Sequence, residues 1–403
     1  MSRPAGGLDV TRTAVLALIG AHGMLSRAGL ARQLDVSPAL VTQLAKQLIA
    51  DGLVEERDIA PSQGGRPARL LGLTASAGNA VGVKVAPDHV ALVEVQIDGS
   101  VVRSSTEPYD AYAPEALGRL SHVVGDFVAD AARPLLGIGV GLPGDVEVPA
   151  KGIVDSSQLR WQQYPVGQTL RRDHGLPVLV ENNVNALTMA ERLYGQGRGH
   201  DSFLVVTVGT GIGGGFVTDG SVVRGASGAA GQIGHIPVVD DGPRCQCGNI
   251  GCLEALIGEQ ALVAAARAAG IVPAQSGIDA LREVADSGDA AARAVFRQAG
   301  ERLGRALAGV VNVLDPELVV LLGEGLAAWA HWAPGFEPAF RARLLPQLRG
   351  VGVSIESWQD DRWAQGAASL VLATPFDTDG RSGDQGRLVR QRLVDQSLAG
   401  GRP

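Results

Sequence analysis

The chain has 403 residues, a formal net charge of −7 and 45% hydrophobic residues, which is enough for two or three domains whose cores need no disulfide support. Residues 1–73 carry a net charge of +2 and the remainder −9, an asymmetry typical of a DNA-binding domain joined to a small-molecule domain. No run of 18 apolar residues and no secretory signal pattern occurs, so the sequence predicts a soluble, cytoplasmic protein.

The first 73 residues predict three helices followed by a β-hairpin. Apolar residues at helical spacing indicate a helix over 11–21, and Ser26 is a suitable N-cap for the second. Ser37 caps the third helix, with Pro38 at the favoured first helical position. Two short apolar strands then flank the turn-rich string SQGGRP. This order is typical of a winged helix-turn-helix, so we assign residues 1–75 to a DNA-binding domain.

The third predicted helix is expected to lie in the major groove of double-stranded DNA. Arg66, at the glycine-flanked tip of the wing, is expected to enter the minor groove or contact phosphate. A three-helix domain that binds protein is the alternative interpretation. The residues expected to meet bases and phosphates on the exposed face of the third helix are Ser37, Ala39, Thr42, Gln43 and Lys46.

From Ala80 onward the pattern changes to strands and helices. Two strands separated by a tight turn occur at AVGVKV and HVALVEVQIDG, and a similar unit recurs over 203–220, where two strands flank GTGIGGG. This recurrence predicts an internally duplicated, two-lobed α/β fold with a cleft between the lobes. The glycines would let backbone N–H groups approach phosphate oxygens, so the second turn is a former or present nucleotide loop.

All three cysteines lie in one short string, CQCGNIGCLE, with His235 ten positions before the first of them. An odd count and close spacing argue against disulfides. Three thiolates and one imidazole form a set that zinc takes in closed structural sites. We therefore expect a structural zinc ion bound by His235, Cys245, Cys247 and Cys252. Because imidazole has two nitrogens, His235 can bind metal through one and offer the other to a ligand.

The strings GQIGHIPV and CQCGNIGCLE resemble the signature of the ROK family of sugar kinases, sugar-responsive repressors and uncharacterised reading frames. The resemblance runs over 80–374 through GIGVGLPGDV, ENNVNALTMAE, NVLDPELVVLLGEG and WAQGAASLVLA, and the GRP of the wing resembles the N-terminal module of the ROK repressors. It implies an actin-like ATPase and sugar-kinase (RNase H-like) fold over 76–374. It also implies that His235 and Glu254 contact a sugar.

The sequence departs from the kinases of this family at the positions that carry catalysis. The family's catalytic Asp in the segment matching ENNVN is Asn183 here, and an amide cannot accept the proton of the attacking hydroxyl. The first phosphate loop, acidic and glycine-rich in the family, reads Lys84-Val-Ala-Pro-Asp88. The resemblance therefore implies no catalytic residue and an inactive kinase domain. The residues expected to bind the sugar are Asn182, Asn183, Gln232, His235 and Glu254.

Together these features predict a sugar-responsive DNA-binding regulator, most simply a repressor, and not an enzyme. It is expected to bind its operator as a homodimer or homotetramer, with a sugar or sugar derivative as effector. The alternatives are an active ROK sugar kinase and a DNA-binding regulator with a vestigial pocket. Because Gln232 replaces a sugar-contacting glutamate, the effector is expected to differ from plain glucose. The polar composition after Pro375 predicts a mostly disordered tail over 375–403, in which Gly386 to Leu398 could form a short helix.

Overall fold

The computed structural model describes residues 6–59, 69–356, 361–377 and 382–400, which form two compact units. The first unit contains the described residues of Met1–Gly199, Ala226–Gly228 and Asp360–Pro403, and the second those of His200–Gly225 and Ala229–Gln359. Within the described ranges no helix is both long and apolar enough to cross a membrane.

The N-terminal part of the first unit has the predicted winged helix-turn-helix order. Its elements are α1 (Gly6–His22), β1 (Leu25–Ser26), α2 (Arg27–Gln33), α3 (Pro38–Ala50), β2 (Val54–Ile59) and β3 (Arg69–Leu73). Strand β3 pairs antiparallel with both β1 and β2. The two serine caps are confirmed, because Ser26 Oγ accepts the N–H of Gly29 at 3.0 Å and Ser37 Oγ that of Leu40 at 3.2 Å. Helix α1 begins five residues before the predicted range.

The first unit continues into a five-stranded sheet of order β10-β7-β4-β5-β6. Strands β4 to β6 form antiparallel hairpins, whereas β7 and β10 run parallel to β4. The elements are β4 (Asn79–Val85), β5 (His89–Gln96), β6 (Val101–Pro108), α4 (Ala116–Ala129), β7 (Leu135–Leu142), β8 (Val154–Ser156), β9 (Trp161–Tyr164), α5 (Val166–His174), β10 (Val178–Asn182) and α6 (Asn183–Tyr194).

The second unit has a sheet with the same plan, in the order β13-β12-β11-β14-β15. Three consecutive antiparallel strands are again followed by two strands parallel to the first of them. The predicted internal duplication is therefore confirmed. The elements are β11 (Phe203–Val208), β12 (Ile212–Thr218), β13 (Ser221–Val222), α7 (Leu253–Ile257), α8 (Glu259–Ala268), α9 (Ile278–Asp286), α10 (Ala290–Leu314), β14 (Leu318–Leu322), α11 (Trp329–Arg341) and β15 (Gly352–Ile355).

The C-terminal segment returns to the first unit as α12 (Asp361–Leu372), which packs directly on the backbone of its sheet. A Cβ atom at Gly82 would lie 1.9 Å from the carbonyl oxygen of Ala364, and one at Gly139 would lie 1.8 Å from that of Ala367. Because no side chain fits at either position, glycine on β4 and on β7 is a condition for seating this helix.

The expectation of a mostly disordered tail is wrong for residues 382–400. They include helix α13 (Gly383–Gly400), on which Val389 and Leu393 are buried in the core of the first unit. A hydrogen bond also connects the helix with the five-stranded sheet, because Arg392 Nε donates to the carbonyl oxygen of Leu135 on β7 at 3.0 Å. Composition predicts disorder here because the apolar residues are few, but those few are placed where the core can bury them.

Candidate functional site

The predicted metal ligands come together in the second unit. The ligand atoms of His235, Cys245, Cys247 and Cys252 all lie within 4.8 Å of one another. Nδ1 of His235 is 3.4 Å from Sγ of Cys245, and Sγ of Cys247 is 3.7 Å from Sγ of Cys252. Zinc–thiolate bonds of about 2.3 Å in a tetrahedron place two sulfurs about 3.8 Å apart. The cluster therefore has the donor set and the spacing that fit a tetrahedral metal ion.

Backbone hydrogen bonds hold these ligands in place. Cys245 N donates to the carbonyl oxygen of Asn249 at 2.8 Å, which closes the turn that carries Cys247. Leu253 N donates to the carbonyl oxygen of Ile236 at 2.9 Å and brings the start of α7 beside the short 3-10 turn that carries His235. The chain therefore positions all four ligands without a disulfide.

The cysteines are free thiols whose surroundings differ. A separation of 3.7 Å between Sγ of Cys247 and Cys252 is far longer than a disulfide bond of about 2.05 Å. Burial, followed by the neighbouring thiols, raises the pKa of Cys252 to about 12, whereas a backbone hydrogen bond from Asn249 is the main cause that lowers the pKa of the exposed Cys247. A bound cation would offset the cost of ionising three adjacent thiols.

Three of the five predicted sugar ligands lie beside this cluster in the chain. His235 uses Nδ1 toward Cys245, and within the described residues its Nε2 has no hydrogen-bonding partner. Gln232 is exposed at the N-cap of the same 3-10 turn. Glu254 lies in the first turn of α7, where its Oε2 accepts the backbone N–H of Ile212 at 2.9 Å. One carboxylate oxygen of Glu254 therefore has a structural role.

Two protein carboxylates accept backbone N–H groups of the glycine-rich loop that joins β11 to β12. Thr210 N donates to Oε1 of Glu324 at 3.1 Å, and Ile212 N donates to Glu254. A Cβ atom at Gly209 would lie 2.1 Å from Oε1 of Glu324, so this carboxylate rests on the glycine backbone itself. Sequence reasoning missed Glu324. The sequence feature that could have identified it is an acidic residue between two glycines in LLGEGL, directly after β14.

The charge around this loop is negative. Glu259, at the start of α8, donates its backbone N–H to the carbonyl oxygen of Gly209 at 3.1 Å. Burial, followed by repulsion from Glu324 and from Asp279, raises the pKa of the Glu259 carboxyl group. Backbone N–H groups of this loop that would meet phosphate thus meet carboxylates instead.

The other two predicted sugar ligands lie at the N-terminus of α6 in the first unit. Asn182 is the N-cap: its Oδ1 accepts the N–H of Val184 at 2.9 Å, and its Nδ2 donates to the carbonyl oxygen of Gly144 at 3.0 Å. Asn183 Oδ1 accepts the same N–H at 3.0 Å. The amide of Asn182 is therefore committed to intramolecular bonds, whereas Asn183 makes fewer of them. Glu181 is a buried carboxylate that sequence reasoning left out of the site.

The turn between β4 and β5 has no glycine over 84–88, as the sequence indicates. It is closed by a hydrogen bond from Ala86 N to the carbonyl oxygen of His89 at 2.9 Å. The carbonyl oxygens of Pro87 and Asp88 accept the N–H groups of Ala111 and Tyr109 at 2.9 Å each. A hydrogen bond from His89 lowers the pKa of the Asp88 carboxyl group. Packing against the chain after β6 therefore fixes this turn.

Helix α3 presents the predicted DNA-contacting face. Its opposite side is buried, and Lys46 and Gln43 are exposed. Thr42 is half-buried, and its hydroxyl donates to the carbonyl oxygen of Pro38 at 2.8 Å, which leaves the methyl group as its outward feature. Ser37 and Ala39 are exposed at the N-terminus of the helix. Arg66 lies outside the described residues.

Comparisons with known proteins match two parts of the chain. A model of the ROK family matches residues 81–374, and a model of the MarR family matches residues 6–63. A xylose repressor from Caldicellulosiruptor bescii is 27% identical over 388 residues, covering 91% of this chain and 96% of the repressor.

Two solved structures are similar over long stretches. One is a ROK family transcriptional regulator described as a homologue of the E. coli MLC protein, with a TM-score of 0.78, 26% identity, and coverage of 96% of this chain and 99% of that one. The other is a ROK family glucokinase from Streptomyces griseus in complex with glucose and AMPPNP, with a TM-score of 0.64, 27% identity, and coverage of 73% of this chain and 99% of that one.

Proposed function

The chain belongs to the ROK family, and on that premise we propose that it is a sugar-responsive transcriptional regulator that represses genes by binding operator DNA. The proposal depends on one observation: the winged helix-turn-helix and α6, whose N-terminus carries Asn182 and Asn183, lie in one compact unit with a shared core. Buried residues of α1 to α3 and of β4, β5 and β7 belong to the same hydrophobic cluster, which also includes Leu193 near the C-terminal end of α6. Side-chain packing in this core therefore connects a ligand at α6 with the DNA-binding domain over 1–75, which we call the reader.

The reader is proposed to bind DNA through α3 and the wing. Ser37, Ala39, Thr42, Gln43 and Lys46 are the residues we assign to base and phosphate contacts, and Arg66 is assigned to the wing. An operator that is a (pseudo)palindrome would be read by two copies, so we propose a homodimer or homotetramer. Residues 1–75 form the reader and 76–374 the ROK domain in this proposal, and 375–403 supplies the C-terminal helix of the first unit.

The effector is proposed to be a sugar or sugar derivative, and the residues we assign to its binding are Asn182, Asn183, Gln232, His235 and Glu254. Free donors and acceptors support this assignment: Nε2 of His235, the exposed amide of Gln232, and one carboxylate oxygen of Glu254. Nδ2 of Asn182 donates one of its two N–H groups to the carbonyl oxygen of Gly144, and the other is the donor that we assign to the sugar. The name of the xylose repressor makes a pentose the first sugar to test.

The metal is proposed to be a structural Zn²⁺ held by His235, Cys245, Cys247 and Cys252. The ligand set and the spacing of the ligand atoms support zinc over magnesium or calcium, which prefer oxygen ligands. A zinc ion would clamp the segment 233–254 and fix the ring of His235, because coordination by one nitrogen orients the other. The predicted exposure of Nε2 to a ligand follows from that orientation.

We propose that the chain does not phosphorylate sugar. Asn183 has no proton-accepting carboxylate, and Glu324 lies where the glycine-rich loop would receive phosphate. The likeness to a glucokinase structure keeps an active kinase as the rival function. A coupled ADP assay with ATP, Mg²⁺ and a hexose panel decides between them, because turnover above the rate without sugar would contradict our proposal.

The test of the main proposal is a fluorescence-anisotropy titration with duplex DNA from the region upstream of the protein's own gene. We expect this duplex to bind at least about 10³-fold more tightly than a scrambled one at equal salt. D-Xylose, D-glucose and N-acetyl-D-glucosamine are then added singly, and one of them should weaken binding about 5- to 150-fold. No preference for the duplex would contradict a regulator, and DNA binding that no sugar changes would support the vestigial-pocket alternative.

A further inference from the structure

Helix α6 connects the proposed sugar ligands with the DNA reader inside the first unit. Its N-cap is Asn182, and its 12 residues give it a length of about 18 Å. The turn that follows carries Arg198, whose Nη2 lies 3.5 Å from the carbonyl oxygens of both Ile19 and Gly20. Those carbonyls belong to the last turn of α1, the first helix of the reader.

The position of Arg198 is that of a C-terminal helix cap. The carbonyl oxygen of Ile19 also accepts the N–H of Gly23 at 3.0 Å, and a cation at the C-terminus of a helix adds a favourable interaction with the helix dipole. Gly23, which ends α1, has φ +85°, and a Cβ atom on it would lie 3.1 Å from Cζ of Arg198. The guanidinium group is therefore packed against the residue at which the chain turns from α1 toward β1.

A second contact reaches the same turn of α1 from α12. Phe376 follows that helix and is 8% exposed, and a Cβ atom on Gly20 would lie 2.9 Å from its ring. Helices α12 and α6 cross closely, because a Cβ atom on Gly366 would lie 2.9 Å from Cα of Leu187. An ion pair between the fully buried Glu191 and the partly exposed Arg362 also joins them.

We propose that α6 and α12 move as one body and that Arg198 and Phe376 are positioning residues that set the angle of α1, and hence of α3, according to sugar occupancy. This inference rests on the proposed function. A close crossing and an ion pair to the buried carboxylate of Glu191 make independent motion of the two helices costly, because separation would leave that carboxylate buried without its cation. A change in the bonds around Asn182 and Asn183 at one end of α6 therefore reaches the last turn of α1 through two separate contacts. A ligand that alters those bonds has the differential interaction that coupling requires.

The experiment measures coupling, defined as the ratio of duplex affinities without and with sugar. It uses the full chain, the upstream duplex, and whichever of D-xylose, D-glucose and N-acetyl-D-glucosamine gives the largest thermal shift with the wild type. The variants are Arg198→Ala, Arg198→Lys and Phe376→Leu. Arg172→Ala is the matched control, because Arg172 is an exposed arginine of the same unit that pairs only with its neighbour Asp173.

We expect Arg198→Ala to reduce the ratio at least about 5-fold, toward 1, while sugar affinity in the absence of DNA stays within about 2-fold of the wild type. Arg198→Lys should retain most of the ratio, because the cationic cap is kept, and Phe376→Leu should lose part of it. A purely structural role would lower the melting temperature and leave the ratio unchanged. A full wild-type ratio in Arg198→Ala, or equal loss in the Arg172→Ala control, would overturn the inference. A wild type that ignores every sugar would instead overturn the proposed function.

Discussion

Glu324 accepts the backbone N–H of Thr210 at 3.1 Å, across 114 residues of sequence, and its carboxylate lies against the bare backbone of Gly209. A glycine-rich turn between strands ordinarily offers such N–H groups to the oxygens of an anionic ligand. Here the chain supplies the anion itself. The N–H groups of Thr210 and Ile212 are already bonded to carboxylates, so a polyphosphate would have to displace a like charge to reach them.

Removal of this carboxylate should open the loop to nucleotide. We expect the wild type to bind a fluorescent ATP analogue with a Kd above about 1 mM, and Glu324→Gly to bind it about 10-fold more tightly, a gain of about 1.4 kcal/mol. Glu324→Gln, which removes the charge but not the bulk, should fall between them. Glu337→Gln is the control because Glu337 is a half-exposed glutamate paired on its own helix. Micromolar binding by the wild type would contradict this account.

Restoring the missing carboxylate alone should not restore turnover. Asn183→Asp places an acid at the first position of α6, where a negative charge stabilises the helix by about 0.3–1 kcal/mol. We expect a slightly raised melting temperature and no ADP formation with sugars, because the turn between β4 and β5 still lacks glycine. A general base contributes about 10²- to 10⁴-fold in rate. A gain of that size in the coupled ADP assay would show that the rest of the kinase machinery is intact.

The metal cluster gives a prediction that needs no sugar or DNA. Purified protein should contain one zinc ion per chain by elemental analysis, and Cys252→Ser should contain none. Loss of the metal should lower the melting temperature by at least about 5 °C, since about 1 kcal/mol corresponds to 2–4 °C in domains of this size. A suitable control is Ser287→Ala, which changes an exposed hydroxyl of the same unit. Stoichiometric zinc in Cys252→Ser would refute the ligand assignment.

The exposed face of α3 predicts two kinds of DNA contact. Gln43→Ala should cost about 1–3 kcal/mol for the operator and relax specificity at one base position. Lys46→Ala should weaken all duplexes to a similar degree and reduce the slope of log affinity against log salt by about 1. The control for loss of a cation is Arg282→Ala, because Arg282 lies on α9 and forms a surface ion pair with Asp279. Salt titrations of the three variants separate these outcomes, and an unchanged slope for Lys46→Ala would exclude a phosphate contact.

One histidine should make the protein less stable in mild acid. Burial lowers the pKa of His174, although Asp173 opposes the shift, and Nε2 of His174 lies 3.3 Å from Oγ of Ser121. The folded state therefore binds its proton less readily than the unfolded chain, whose histidine pKa is about 6.5. Its stabilising contribution is complete above that value and is lost as the pH falls through the folded pKa.

Urea unfolding at pH 7.5 and pH 5.5 measures the effect. We expect the free energy of unfolding to fall more in the wild type than in His174→Gln, which cannot gain a proton but can still hydrogen-bond Ser121. Comparing the two proteins cancels any metal release common to both. An equal fall in both would assign the acid sensitivity to other groups.

The features that sequence predicts well here are local ones. Ser26 and Ser37 cap their helices within three residues, and the four residues of the His235 cluster lie within 18 residues of sequence. Residues close together in the sequence are therefore enough to predict both features. Glu324 and Arg198 are different. Each acts on a partner more than 100 residues away, and an acid or an arginine on its own predicts only a solvated side chain.

The C-terminal segment is a second case in which residues distant in sequence decide the structure. Its polar composition predicts disorder, yet Val389 and Leu393 are buried because a core built by earlier parts of the chain accepts them. The amide of Asn182 is a comparable case. Its residue type suggests a sugar contact, but only the fold shows that Gly144 and Val184 already use part of its hydrogen-bonding capacity.

The return of α12 and α13 to the first unit has a consequence for synthesis on the ribosome. The reader emerges first, but α12, which covers the glycines of β4 and β7, and Phe376, against which α1 rests, are translated last. A chain released before α12 is made therefore carries the winged helix-turn-helix without the ring of Phe376 against α1, and the glycines of β4 and β7 are left uncovered. Folding of the first unit thus depends on residues from both ends of its sequence.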